Sequence, residues 1–176
     1  MNTADLITTF PWDNYPPLNS LKILDLACGS GRNGLWFAKR GADVTFVDRN
    51  PEAFSSLLEA FPHCHCLQVD LESGSLPALG QFDVVLVFNY LHRPLMPWIN
   101  QRLANGGLLF YETFHQRQAA LGKPTNPDFL LQDTELLRTF AKLETLHYFE
   151  GKLIHNNTQS QEKAQLIARN AAKFDD

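Results

Sequence analysis

The chain has 176 residues, 44% hydrophobic and 19% charged, which fits one domain with a sizeable core and leaves little composition for long disordered tails. Fifteen basic against nineteen acidic side chains give a net charge of -4, which argues against a large electrostatic footprint for nucleic acid or an anionic membrane. The N-terminus has no basic start, the longest apolar run (84–88) falls far short of the ~20 residues that span a bilayer, and three cysteines (Cys28, Cys64, Cys66) cannot all pair, so a soluble, cytoplasmic protein is expected.

Residues 1–20, with Pro11, Trp12, Tyr15, Pro16 and Pro17, read as an N-terminal arm packed on a single domain over 21–176. The apolar run 21–27 ends at glycines, the mark of a buried strand. A helix should follow from Asn33 to Arg40, closed by Gly41. Residues 42–48 are the second strand. Asn50 is placed to cap a helix with Pro51 at its first position, and Phe54, Leu57, Leu58 and Phe61 give that helix one apolar face. Residues 63–70 form a third strand. The next connection, 71–81, contains Gly74, Pro77 and Gly80 and admits at most one helical turn. Residues 82–89 are the most apolar strand and belong at the centre of the sheet. Pro94 and Pro97 open a helix with Leu95, Ile99 and Leu103 on one face. Asn105-Gly106-Gly107 then turns the chain into a fifth strand, 108–114.

Residues 115–128 form a long polar loop, of a length that in compact domains is often functional. Asp133 should cap a short helix through Phe140. Strands at 143–149 and 163–171, joined by the polar stretch 150–162, should pair as an antiparallel hairpin. Strands alternating with amphipathic helices argue for a parallel sheet covered on both faces.

The first strand runs into Asp25-Leu26-Ala27-Cys28-Gly29-Ser30-Gly31-Arg32-Asn33-Gly34, and residues 29–34 read Gly-x-Gly-x-x-Gly. A strand, a glycine turn and a helix let backbone approach a nucleotide-like ligand closely. Asp48, at the end of the second strand, can accept both ribose hydroxyls of an adenosine. This spacing also fits a dinucleotide fingerprint. Asp25, just before the turn, suits a ligand bearing an ammonium and a sulfonium rather than a pyrophosphate. Asp70 ends the third strand, where a carboxylate can accept from an adenine amine. Tyr148 and Lys152 match the Tyr-x-x-x-Lys pair of short-chain dehydrogenases, but Gly151 and strand-like surroundings deny them the helix that pair occupies.

Taken in order, LDLACGSGRNG, VDRN (47–50), VDLES (69–73), FDVVLVFNYLH (82–92) and LANGGLLFYETF (103–114) resemble the successive motifs of class I S-adenosylmethionine-dependent methyltransferases. The first fifty residues are similar to the small tellurite-resistance methyltransferases. Two departures stand out: Asn105 occupies the usual proline position, and Ala27 a position where glycine is commoner. Alanine is tolerable there at negative φ. The resemblance implies a three-layer α/β sandwich with a seven-stranded, mostly parallel sheet in the order 3-2-1-4-5-7-6, the last strand antiparallel. It implies S-adenosyl-L-methionine as cofactor and S-adenosyl-L-homocysteine as product.

The resemblance also implies roles. Backbone around Ala27, Cys28, Gly29, Gly31 and Asn33 would pass the methionine part of the cofactor, and Asp25 would orient its amino group. Asp48 would bind the ribose, with Arg49, Asp70 and Leu71 around the adenine, and Phe88 and Asn89 near the reacting methyl. Where the nucleophile holds a proton, a general base is needed. His92 is the first candidate and His115 the second. Tyr90, Arg93, Tyr111 and Glu112 are candidates to bind the substrate, Arg93 through an anionic group.

No metal site is expected: His63-Cys64-His65-Cys66 lies on a strand, which sends histidines and cysteines to opposite faces. Residues 89–94 lack the Asn/Asp-Pro-Pro-aromatic turn used to methylate base amines, so the expected acceptor is a small molecule rather than nucleic acid. The alternatives are RNA or protein methylation, an NAD-dependent oxidoreductase, and a non-catalytic nucleotide-binding protein. The sequence gives no indication of the oligomeric state.

Overall fold

The computed structural model describes residues 2–155 and 159–171. Four strands form the parallel heart of the sheet: β1 (Lys22–Leu26), β2 (Asp43–Asp48), β3 (His65–Gln68) and β4 (Phe82–Phe88). They are joined by β5 (Leu103–Phe114), β6 (Glu144–His155) and β7 (Gln159–Arg169). The order across the sheet is β3-β2-β1-β4-β5-β7-β6, as expected. Only β7 runs against its neighbours, pairing antiparallel with both β5 and β6. β4 lies at the centre, with Val85, Leu86 and Val87 fully buried, as a strand covered on both faces requires.

Alternation along the strands feeds two cores, one on each face. Ile23, Val44, Phe46, Leu86 and Phe110 point to the side covered by α1 (Asp5–Thr8), α2 (Gly34–Ala38) and α3 (Phe54–Ala60). Leu24, Leu26, Val85, Val87 and Tyr111 point to the side covered by α4 (Met96–Gln101) and α5 (Glu135–Thr139). Each such aliphatic or aromatic side chain contributes roughly 1.5–3 kcal/mol by leaving water. Residues 2–20 seal the first core: Ile7 is fully buried, and Trp12 stacks on Phe110 at 5.5 Å while donating its indole N–H to Ile7 O at 2.8 Å. Among the described residues no helix is long and apolar enough to cross a membrane.

Several boundaries differ from the sequence reading. The helix after the glycine turn is only Gly34–Ala38, and the Asn33 side chain accepts from Ala4 N rather than capping it. Asn50 accepts from Glu52 N and makes a local turn, so α3 starts three residues later than a cap at Asn50 implies, and Leu58 is exposed. Asp133 does not cap α5; Thr134 holds that position at φ +55°. The third strand keeps only 65–68. The polar stretch 150–162 extends the hairpin strands up to 155 and from 159, with 156–158 outside the described residues.

Leu103 begins β5 rather than ending α4. The register then jumps, from Phe82 opposite Leu103 to Val84 opposite Leu108. Gly107 makes this possible: a Cβ there would stand 2.9 Å from both Ala104 O and Phe82 O. Both atoms are backbone and cannot yield. Gly107→Ala should therefore destabilise the fold by about 1–3 kcal/mol, as overpacking does, read as a lowered urea midpoint with an unchanged slope.

Candidate active site

The carboxyl ends of β1, β2 and β4 meet the glycine turn 27–34, which is the position where open α/β sheets bind ligands. Asp25 is buried at the end of β1, and its Oδ2 accepts from Gly34 N at 2.8 Å. Burial pushes its carboxyl up to about 7, against the pull of Gly34 N and Arg32. Gly34 has no room for a side chain: a Cβ would lie 2.5 Å from the Phe46 ring and 2.8 Å from Asp25 Oδ2. Asp48, at the end of β2, accepts from Gly29 N at 2.7 Å and Asn50 N at 2.9 Å. It thus ties the turn to the neighbouring strand. Ala27 sits at φ +49°, so the condition under which alanine is readily tolerated is not met, and this alanine carries a left-handed backbone that favours glycine. Residues 2–4 brace the turn from outside, through Arg32 Nη1 to Asn2 O at 2.7 Å and Ala4 N to Asn33 Oδ1 at 3.0 Å.

Two cavities open here. The smaller, about 200 Å³, is bounded by Asp25, Cys28, Gly29, Asn33 and Phe88. The larger, about 790 Å³, is bounded by Asp48, Arg49, Asp70, Leu71 and Tyr90, and across from them by Phe114, Lys123–Asn126 and Phe129. Ala27 and Asn89 line both and stand where the two meet. Asn89 is also left-handed, at φ +54°. A volume of this order accommodates a small organic ligand.

The residues expected to hold the cofactor are thereby brought together, with one exception. Gly31 lines neither cavity; it is buried, and its missing Cβ leaves room for Phe46 and Leu57. The Cys28 thiol, pushed up by burial, is a wall rather than a nucleophile.

The residues expected to act on the substrate fare differently. Tyr90 lines the large cavity, with its hydroxyl donating to Glu72 at 3.4 Å. His92 lines neither cavity; it precedes a single turn of 3-10 helix at Arg93–Leu95. His115 is fully buried below the loop. Its Nδ1 accepts from Arg117 N, and its Nε2 lies 3.0 Å from Asp133 and 3.8 Å from Glu150. Arg93 is committed to Glu135 (2.6 Å) and to the carbonyls of Asp128 and Leu130, so it holds the loop and not a substrate anion. Tyr111 is a core residue whose hydroxyl donates to Tyr90 O at 3.1 Å. Glu112 is buried and accepts from Gln165 Nε2 at 2.7 Å. His65 and Cys66 lie on β3, and His65 pairs only loosely with Asp43, at 3.6 Å.

Residues 23–107 match the family model of a methyltransferase domain. Over those residues the chain is similar to methyltransferase domains, and its sheet order is the one expected from the class I resemblance. Magnesium-protoporphyrin O-methyltransferase of Rhodobacter capsulatus is 34% identical over 76 residues, 42% of this chain and 34% of its own. TehB of Haemophilus influenzae is 31% identical over 87 residues, 47% of this chain and 30% of its own. This chain therefore spans about a third of each. The crystal structure of TehB superposes with a TM-score of 0.74 at 21% identity, over 94% of this chain and 61% of that one. A Burkholderia thailandensis 1,6-didemethyltoxoflavin-N1-methyltransferase, solved with 1,6-didemethyltoxoflavin and S-adenosylhomocysteine, superposes at 0.65 and 17% identity, over 86% and 72% of the two chains. These two likenesses are likenesses of fold.

The site also presents residues the sequence did not single out. Phe114, Lys123, Thr125, Asn126 and Phe129 form the outer wall of the large cavity. For Lys123, Thr125 and Asn126 the length of the loop 115–128 was the only signal. Lys163 on β7 is buried against Asn89 and Phe114, and nothing in the sequence marked it.

Proposed function

We propose that the protein transfers a methyl group from S-adenosylmethionine to a small organic acceptor. The observation that carries this is the convergence of Asp25, Asp48 and Asp70 on two cavities that meet at Ala27 and Asn89. The small cavity takes the methionine end, with Asp25 facing the amino group. The inner part of the large cavity takes the adenosine, with Asp48 at the ribose and Arg49, Asp70 and Leu71 around the base. The methyl then lies at the junction, beside Phe88 and Asn89, and the acceptor enters under the wall formed by Phe114 and Phe129. A buried carboxyl at the glycine turn supports this reading over a dinucleotide, whose pyrophosphate would meet it. The three cysteines are free, which suits a cytoplasmic setting.

Transfer from a sulfonium is an in-line displacement with an activated donor. Holding both reactants in line contributes about 7–11 kcal/mol to lowering the barrier. Among the described residues no histidine lines either cavity, so the chemistry rests on alignment, with an acceptor nucleophile that needs no imidazole base. Calorimetric titration with S-adenosylmethionine, S-adenosylhomocysteine, NAD and NADH is the test. Binding of the first two alone is expected. Binding of NADH without S-adenosylmethionine would reject the reading.

A further inference from the structure

Lys163 is 1% exposed, yet it carries an ammonium. It faces Phe114 across the β5–β7 pair, with Nζ 3.5 Å from the ring centroid, and it donates to Asn89 Oδ1. A buried lysine is costly unless something is gained by its position. The charges near it are Glu112, which stabilises the ammonium, and Arg32, which opposes it; burial pushes the group down to about 8. Lys163 itself lines neither cavity, but both of its contacts do. Phe114 walls the large cavity, and Asn89 stands at the junction of the two.

We propose that Lys163 is a positioning residue that fixes the Asn89 side chain at the junction where methyl donor and acceptor meet. This rests on the methyl-transfer reading above. An ammonium only donates, so it holds the amide oxygen of Asn89 and leaves the amide N–H₂ as the group offered to a ligand. It also holds Asn89 in its left-handed backbone by an anchor outside the turn. Lys163 is thus a specificity device acting through its neighbour: it selects ligands that present a hydrogen-bond acceptor at the junction.

The test is a double-mutant cycle with S-adenosylhomocysteine as the probe. Lys163→Met keeps the length and apolar stem, and Glu112, which loses a nearby cation, keeps its hydrogen bond from Gln165. The variant should weaken binding about tenfold or more, the value of one charge-anchored hydrogen bond. Asn89→Ala should weaken it by a similar factor, and the double variant no further than the larger single effect. Lys163→Gln, which keeps a donor, should bind between wild type and Lys163→Met, and it serves if the methionine variant folds poorly. Wild-type affinity in Lys163→Met, or effects that simply multiply in the double variant, would overturn the proposal. Failure of the wild type to bind S-adenosylhomocysteine or S-adenosylmethionine would instead remove the functional reading beneath it.

Discussion

Asp48→Ala should lower affinity for S-adenosylhomocysteine by 100-fold or more while leaving the sheet intact. In the proposed complex, Asp48 does two things at once. It accepts from Gly29 N at 2.7 Å and Asn50 N at 2.9 Å, which holds the glycine turn against β2, and it offers its remaining lone pairs to the ribose hydroxyls. Charge-assisted hydrogen bonds contribute about 1.5–3 kcal/mol each, so losing the ribose pair removes roughly 3–6 kcal/mol before any loosening of the turn is counted. Asp48→Asn, which keeps one acceptor oxygen, should lose less. Calorimetry measures both, and an alanine variant that binds within tenfold of wild type would contradict the assignment.

The second large effect concerns Asp25 and pH. In the ligand-free protein burial raises its carboxyl to about 7, so the group is largely protonated below that pH. A ligand amino group selects the carboxylate. Binding should therefore release a proton near pH 6, and affinity should rise with pH toward 7, approaching tenfold per unit at the acid end. Titration in buffers of different ionisation enthalpy reads the proton directly. Asp25→Asn should flatten the pH dependence and weaken binding at least 30-fold, about 2 kcal/mol, the value of a buried charged partner. The sign for stability is opposite. Because the folded pKa lies above the unfolded one, this group's contribution is complete below the ordinary carboxyl value of 3.8 and is lost as pH rises through about 7. The empty protein should thus weaken over the same range in which the complex tightens.

The residues at the ends of β1, β2 and β4 were legible because the topology dictates where they gather. A carboxylate that ends a parallel strand beside a glycine turn has few other places to be. Gly31 escaped this logic because its smallness serves Phe46 and Leu57 in the core. The substrate side was not legible, for reasons of register and long-range pairing. Alternation along β5 separates Tyr111 from Glu112, but it does not say that α5 packs on the Tyr111 face or that β7 sets Gln165 beside Glu112. The partner of Arg93 lies 42 positions away, at Glu135. Lys163 meets Phe114 only because the hairpin sits in one register of several a polar sequence allows. The hairpin also hid its own length: residues 150–162 are mostly polar and show no apolar alternation to read.

The segment between His115 and Leu131 is closed at its base before any ligand arrives. Leu131 N donates to Phe114 O, Gln116 N donates to Leu131 O, and Arg93 holds the carbonyls of Asp128 and Leu130. Its stem is part of the scaffold, and its crown, with Lys123–Asn126, is wall. Lengthening a loop whose ends are already fixed costs little, only about 0.6 kcal/mol for each doubling. The crown is therefore the part of this protein that can be exchanged like a cassette, altering what fits beside the methyl donor without asking the sheet to fold anew.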